Sequence, residues 1–353
     1  MTALIRDILS NDGWDELFRF AKRHSILGVV WDEVQDSLTD FGGIPPFTLR
    51  QWLTLVGKIE ENNKLIDEIA WRISCRFAED GLPSMILKGQ GLARYYPIPH
   101  HRQPGDIDIW IWPDQAGLSL SRRRDTITEY VRKIDPNTRT CYHHTSFKRI
   151  QGKVIEVHFT PSWMYSPRKN RYLQKYFDTY LLTVSKERPQ SVRFRVPSEE
   201  FNLVFILIHL YRHVFDEGIG LRQMMDYDMV LRHSSAEDKT TAMRHIRALG
   251  LARFAGAVMY VLTEVFGTEP RLLPCEPDEK EGRWLYRQIM EGGNFGRHRP
   301  ASSRKKSATT AHLHNLGQRV LRSAELLTHY GEEASWAIPW RIWHWVWRRL
   351  KGY

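Results

Sequence analysis

Two aspartates separated by one residue open the alternating run Asp106-Ile107-Asp108-Ile109-Trp110-Ile111-Trp112. Extended backbone turns residues i and i+2 to the same side, about 6.6 to 6.8 Å apart, so the two carboxylates can converge on one or two hard cations. Like charges at this separation repel and lose hydration, and the pair needs a compensating charge such as Mg²⁺ or Mn²⁺. Later in the chain, Val154-Ile155-Glu156-Val157-His158-Phe159 sets a third acid in the middle of a second apolar run. Three carboxylates on adjacent strands make a two-metal site, able to activate an attacking oxygen and to neutralise a triphosphate. Upstream, Lys88-Gly89-Gln90-Gly91 joins the apolar run Met85-Ile86-Leu87 to a short helix expected over residues 92–96. At such a junction, backbone N–H groups and a helix N-terminus can hold phosphate.

Taken singly, each signal has a plainer reading. An Asp-x-Asp pair is often a solvated strand edge, and a glycine turn is often only a tight connection. The turn is also not a Walker A loop, because GxxxxGK[ST] is absent. Together, the glycine turn, the aspartate pair with two tryptophans on its face and the isolated strand acid favour a metal site over a solvated edge.

The elements that must position these residues follow from hydropathy period and punctuation. Residues 1 to about 80 repeat apolar positions at intervals of three and four, as in Leu65, Ile66, Ile69, Ile73 and Phe77, and so read as helices ending at Gly81 before Pro83. Met85–Leu87 reads as a buried strand, and the three prolines of residues 97–105 exclude regular structure there. Residues 106–112 alternate as a strand with the isoleucines on one face, and a helix from about Asp114 to Lys133 follows. Residues 139–150 and 153–159 flank Gln151-Gly152 as a β-hairpin. Beyond Pro197 the chain reads as helical again, with Ser198 as N-cap and Glu199 and Glu200 in the first turn, and residues 292–307 read as a mobile basic loop.

Composition narrows the class of protein. Length predicts one or two domains with room for a sizeable core, and 42% hydrophobic residues is an ordinary globular level that excludes a disordered chain or a fibre. Lys plus Arg number 51 against 41 Asp plus Glu, a net charge of +10 that favours an anionic partner. Residues 301–353 hold nine basic and three acidic residues, so +6 of the +10 lies there. Cys75, Cys141 and Cys275 are odd in number and show no CxxC spacing, which argues against a disulfide framework and a zinc knuckle. The N-terminus lacks the apolar stretch of a signal peptide, and the longest apolar run, Phe201–Tyr211, is too short to span a bilayer. A cytoplasmic protein with no transmembrane segment is expected.

The run LKGQGLARYYPIPHHRQPGDIDIWI, followed by VIEVHF, resembles the bacterial uncharacterised nucleotidyltransferase family within the DNA polymerase beta-type superfamily. Members of that family pair a Leu-Lys-Gly turn with an Arg, an Asp-hydrophobic-Asp strand and a later hydrophobic-Glu-hydrophobic-His strand. In this chain these are Leu87, Lys88 and Gly89, then Arg102, then Asp106 and Asp108, then Glu156 and His158. His209–His213, Gly220–Asp226 and Gly292–Gly296 are similar to the family's helical half. The resemblance covers roughly residues 50 to 300 and is most specific between 85 and 160.

The resemblance implies a palm in which Asp106, Asp108 and Glu156 hold two Mg²⁺ (or Mn²⁺), Lys88 and the backbone of Gly89, Gln90 and Gly91 hold the phosphates of an NTP, and Arg102 and His158 belong to the nucleotide site. The superfamily's usual turn is Gly-Gly or Gly-Ser, and this chain departs from it with Gly89-Gln90. The expected architecture is α+β, a minimal nucleotidyltransferase palm flanked by helices. Its segments are residues 1–80 (helical), 81–165 (palm), 166–197 (linker and strand) and 198–353 (helical). The expected activity is transfer of a nucleoside monophosphate to an anionic or protein acceptor. A palm-like module that binds nucleotide or nucleic acid without transfer, and an antitoxin-like protein partner, are the competing classes.

Three further features have plain and functional readings. His209 and His213 stand i and i+4 on one helix face but lack the Glu of HExxH, so half-buried, satisfied histidines are expected. Arg222 and Asp226 at the same spacing read as an ion pair. Trp336, Trp340, Trp343 and Trp347, near Arg341, Arg348, Arg349 and Lys351, fit a membrane interface or single-stranded nucleic acid, but read more simply as a helix packing its tryptophan face on the core.

Overall fold

The computed structural model describes residues 1–37, 43–113, 117–184, 193–293 and 308–353, the side chains of 2 and 308–324 excepted. In chain order its helices are α1 (Thr2–Asn11), α2 (Gly13–His24), α3 (Leu27–Val34), α4 (Pro46–Glu79), α5 (Gly89–Ala93), α6 (Leu120–Ile134), α7 (Pro167–Val184), α8 (Glu199–Asp216), α9 (Leu221–His233), α10 (Ala236–Ala248), α11 (Ala252–Phe266), α12 (Glu279–Gly292) and α13 (Ala308–Lys351). The strands are β1 (Ser84–Leu87), β2 (Ile107–Ile111), β3 (His144–Ile150) and β4 (Lys153–His158). The fold is α+β, as expected.

The strands form one mixed sheet in the order β1-β2-β4-β3. β1 runs antiparallel to β2, β2 parallel to β4, and β3 antiparallel to β4. β1 and β2 are buried along their whole length, so β2 alternates between isoleucines on one face and Asp108 and Trp110 on the other with neither face open to solvent. The Ile86 N–H donates to the carbonyl of Arg195 at 2.8 Å, so β1 offers less bare edge for pairing with another chain. Gln151 and Gly152 both adopt positive φ, 48° and 78°, the conformation of the type I′ turn expected between β3 and β4.

The chain divides into two compact units built from interleaved segments. One comprises Met1–Leu65, Leu92–Pro104 and Glu199–Ser303, the other Ile66–Gly91, Gly105–Ser198 and Arg304–Tyr353. In the first unit α8 is the central helix, buried over most of its length and packed against α9 and α10, while α11 packs on α12. In the second, the sheet is covered by aromatic and aliphatic side chains of α6 and α7, with Trp110 against Phe177 and Tyr180.

Several boundaries differ from the sequence reading. The aspartate strand covers five residues, not seven, leaving Asp106 just before it. The short helix after the glycine turn begins at Gly89, not Leu92. Residues 99–101 form a 3₁₀ turn despite the prolines, because proline is tolerated in a first helical turn, where no intrahelical N–H is needed. The stretch read as linker and strand contains the 18-residue helix α7. Helix α4 ends as expected. The Gly81 N–H donates to Ala78 and the Leu82 N–H to Phe77, the paired bonds of a Schellman cap, with Gly81 at φ 73°. The expected helix start at Asp114 and most of the expected basic loop, 294–307, lie outside the described residues. No helix among the described residues is long and apolar enough to cross a membrane.

The C-terminal tryptophan face packs within its unit only in part: Trp340 and Trp347 are half-buried, while Trp336 and Trp343 are exposed. Trp340 stacks on Trp163 at 5.4 Å and meets Tyr142 and Tyr165, and the Arg124 guanidinium lies 4.7 Å from the Trp347 ring. The plainer reading of that helix therefore holds for Trp340 and Trp347 and not for Trp336 and Trp343.

Candidate active site

Strand register does the first part of the assembly. Asp108 on β2 lies directly opposite Glu156 on the parallel strand β4, and Trp110 lies opposite His158. Asp106, at the exposed lip before β2, turns to the same side, so that one carboxylate oxygen from each of Asp106, Asp108 and Glu156 lies within 4.8 Å of the other two. Glu156 therefore joins the acids and does not enter the core. Three hard oxygen donors converging from a rigid sheet suit Mg²⁺ or Mn²⁺ in chemistry and spacing.

The glycine turn brings the counter-charge. Lys88 leaves β1 with φ 43° and Gly89 follows at 42°, a left-handed pair that reverses the chain and aims the ammonium at the acids. Nζ donates to Asp108 Oδ1 at 3.0 Å. Gly91 is required by crowding: a Cβ there would sit 2.8 Å from the Ile86 carbonyl oxygen. The Gln90 amide donates to Asp67 Oδ1 at 2.7 Å, so the side chain that departs from the usual turn is tied back to α4 and stays off the turn's backbone. α5 has only five residues, so the helix-terminus contribution expected for phosphate is slight, and Lys88 is the principal positive group of the turn.

His158 is almost fully buried and donates through Nε2 to Asp108 Oδ1 at 2.9 Å, with Glu156 Oε2 at 3.6 Å. It orients two carboxylates from behind. His144, opposite His158 across the β3–β4 pair, reaches Glu156 Oε2 with Nδ1 at 3.2 Å.

The electrostatics follow from this packing. Burial alone would lower the Lys88 ammonium, but the charges of Asp108, Asp106 and Glu156 outweigh it and hold its pKa above the ordinary lysine range. Burial opposes ionisation of Asp108, yet Lys88 and His158 overcome it and keep that carboxyl well below the usual range. Asp106 is pushed up, chiefly by the charge of Asp108. His158 is raised because its bonds to Asp108 and Glu156 exceed the burial that would lower it. The cluster is thus a surplus of acid balanced by one lysine and histidines, an arrangement that a divalent cation completes.

Arg102 belongs to the other unit and is committed there. It is buried and grips Asp226 with two parallel bonds, Nε to Oδ1 at 2.7 Å and Nη2 to Oδ2 at 2.8 Å, while Tyr96 donates to the same carboxylate. Arg222 donates to the carbonyls of Gln103 and Pro104, and the Arg102 carbonyl accepts from Asn63. Arg102, Asp226, Arg222 and Asn63 therefore fix the proline-rich loop. His209 and His213 face each other through Nε2 at 3.0 Å.

Cys141 and His143 were not singled out in the sequence. The loop Cys141-Tyr142-His143-His144 places both beside His144, and one cysteine and two histidines within four residues at the start of β3 is the signal the sequence carries for them.

A family model described as an uncharacterised nucleotidyltransferase matches residues 10–267. No curated protein matches the chain.

Proposed function

The chain belongs to the uncharacterised nucleotidyltransferase family, and from that premise we propose that it transfers a nucleoside monophosphate from an NTP to an acceptor at the Asp106–Asp108–Glu156 cluster. The observation that carries this reading is the convergence of the three carboxylates within 4.8 Å, with Lys88 on Asp108. Asp106, Asp108 and Glu156 would hold the divalent ions. Such ions, when bound, neutralise the developing charge on the attacking and leaving oxygens of an in-line displacement. Lys88 would pair with the triphosphate beside the carboxylates, and the Gly89–Gly91 backbone would let that chain approach closely. His158 is a positioning residue: its bond to Asp108 fixes the carboxylate that also receives Lys88. The tether of Gln90 to Asp67 is compatible with phosphate binding at the turn, whether or not transfer follows.

The test is Mg²⁺- or Mn²⁺-dependent labelling of cell extract by α-labelled NTP. Asp108→Asn should lower it by at least about 10²-fold, the usual loss when a main electrostatic group is removed. Asp106→Asn, at an exposed position, should do the same without a folding defect. Equal labelling by wild type and both variants would reject transfer at this site.

A further inference from the structure

The acids of the active site are one end of a longer series of metal-binding donors. Asp106, Asp108 and Glu156 form an all-oxygen group, His144, Glu156 and His158 a mixed group, and Cys141, His143 and His144 a sulfur and nitrogen group, with the donor atoms of each group within 4.8 Å of one another. Softness of the donors increases along the series, and hard and borderline cations sort by that property.

We propose that Cys141, His143 and His144 bind a borderline divalent cation of the zinc type, at a site that adjoins the carboxylates through His144. The proposal goes beyond nucleotidyl transfer and does not rest on it.

The three side chains already stand in contact. Cys141 Sγ lies 3.2 Å from His143 Nδ1, and His143 Nε2 lies 3.0 Å from His144 Nδ1. His144 Nδ1 also faces Glu156 Oε2 at 3.2 Å. His143 thus meets its two neighbours through opposite ring nitrogens, of which an ion would take one. Zinc bonds of about 2.3 Å to sulfur and about 2.0–2.1 Å to nitrogen set tetrahedral donors roughly 3.3 to 3.6 Å apart, so the side chains adjust to surround one ion. Three protein ligands leave a fourth position for water or another group.

The loop is held in shape independently of any ion. The Cys141 N–H donates to the His144 carbonyl at 2.9 Å, and the Phe159 N–H donates to the His143 carbonyl at 3.0 Å. The Arg124 guanidinium donates to the Tyr142 carbonyl through Nε and Nη2 at 3.2 and 3.0 Å. The Trp163 ring lies 4.1 Å from the His143 ring. Fixed backbone and packed rings are what a metal site needs from its surroundings. All three ligand residues are half-buried, which leaves an ion a route in.

The test uses the full chain, stripped with chelator and titrated with Co²⁺ and then Zn²⁺ in excess Mg²⁺. Wild type should show a thiolate-to-cobalt charge-transfer absorption that stoichiometric Zn²⁺ abolishes. Cys141→Ser should lose that absorption and bind Zn²⁺ at least about 10- to 100-fold more weakly, since loss of a ligand costs no less than loss of its supporting partner. Asp106→Asn should keep both. If Cys141→Ser does not fold, His143→Gln should weaken Zn²⁺ binding by the same margin. No thiolate band in wild type, or zinc affinity unchanged in the folded ligand variants, would overturn the proposal.

Discussion

At the scale of single residues, Lys88 does two jobs that substitutions can separate. Its ammonium balances the acids through Asp108, and its backbone holds a left-handed conformation that costs an L-residue about 1–2 kcal/mol. Lys88→Gly should therefore be more stable than Lys88→Ala by roughly 1 kcal/mol in urea unfolding, while both lose NTP binding equally. Equal stability of the two would show that the turn carries no strain. Arg102 is the contrasting case. Its fork on Asp226 is enclosed, so Arg102→Met leaves a buried carboxylate without its cation and should destabilise the protein by about 3–5 kcal/mol. The acids were legible in the sequence because a period of two fixes where residues i and i+2 point. The resemblance implies a nucleotide role for Arg102, whereas nothing local in the sequence names Asp226, 124 positions away, as its partner.

At the scale of elements, the sheet turns three separated acids into a cluster through register. The pairing of Asp108 with Glu156 requires β2 and β4 to be neighbours and parallel, which neither strand's own sequence specifies. The hairpin β3–β4 and the buried strand β1 were legible, from a turn pair and from an apolar run bounded by punctuation. α7 carries a helical period of its own, with Leu173, Phe177, Leu181 and Val184 recurring at intervals of four and three, that the linker-and-strand reading leaves unused. The β1-to-α5 turn has a steric test. Gly91→Ala would drive a Cβ to 2.8 Å from the Ile86 carbonyl, so β1 must shift, and a loss on the order of 1–3 kcal/mol is expected in thermal or urea unfolding. A neutral Gly91→Ala would mean that the turn has room to spare.

At the scale of the whole molecule, the net charge of +10 is a poor guide to the chemistry, because the site itself is a local excess of acid. Interleaving of distant segments in each unit is likewise a long-range outcome that local patterns do not encode. Stability against pH offers a global check on the first unit. His101 bonds Asp32 through Nδ1 and Glu60 through Nε2. Burial would lower its pKa, but the two carboxylate bonds raise it above the ordinary 6.5. The imidazolium's contribution is then fully present below that value and is lost as pH rises through the raised one. The stability gap between wild type and His101→Gln should be larger at about pH 6 than at about pH 9; a gap that is constant or grows with pH would contradict this assignment. The central claim, that Asp106, Asp108 and Glu156 hold the ion that accompanies the nucleotide, is tested without knowing the acceptor. Mn²⁺ titration in the presence of a non-hydrolysable NTP analogue, followed by loss of the free-ion paramagnetic resonance signal, should show binding to wild type and at least about tenfold weaker binding to the Asp106→Asn/Glu156→Gln double variant. Equal Mn²⁺ affinity in the two proteins would contradict it.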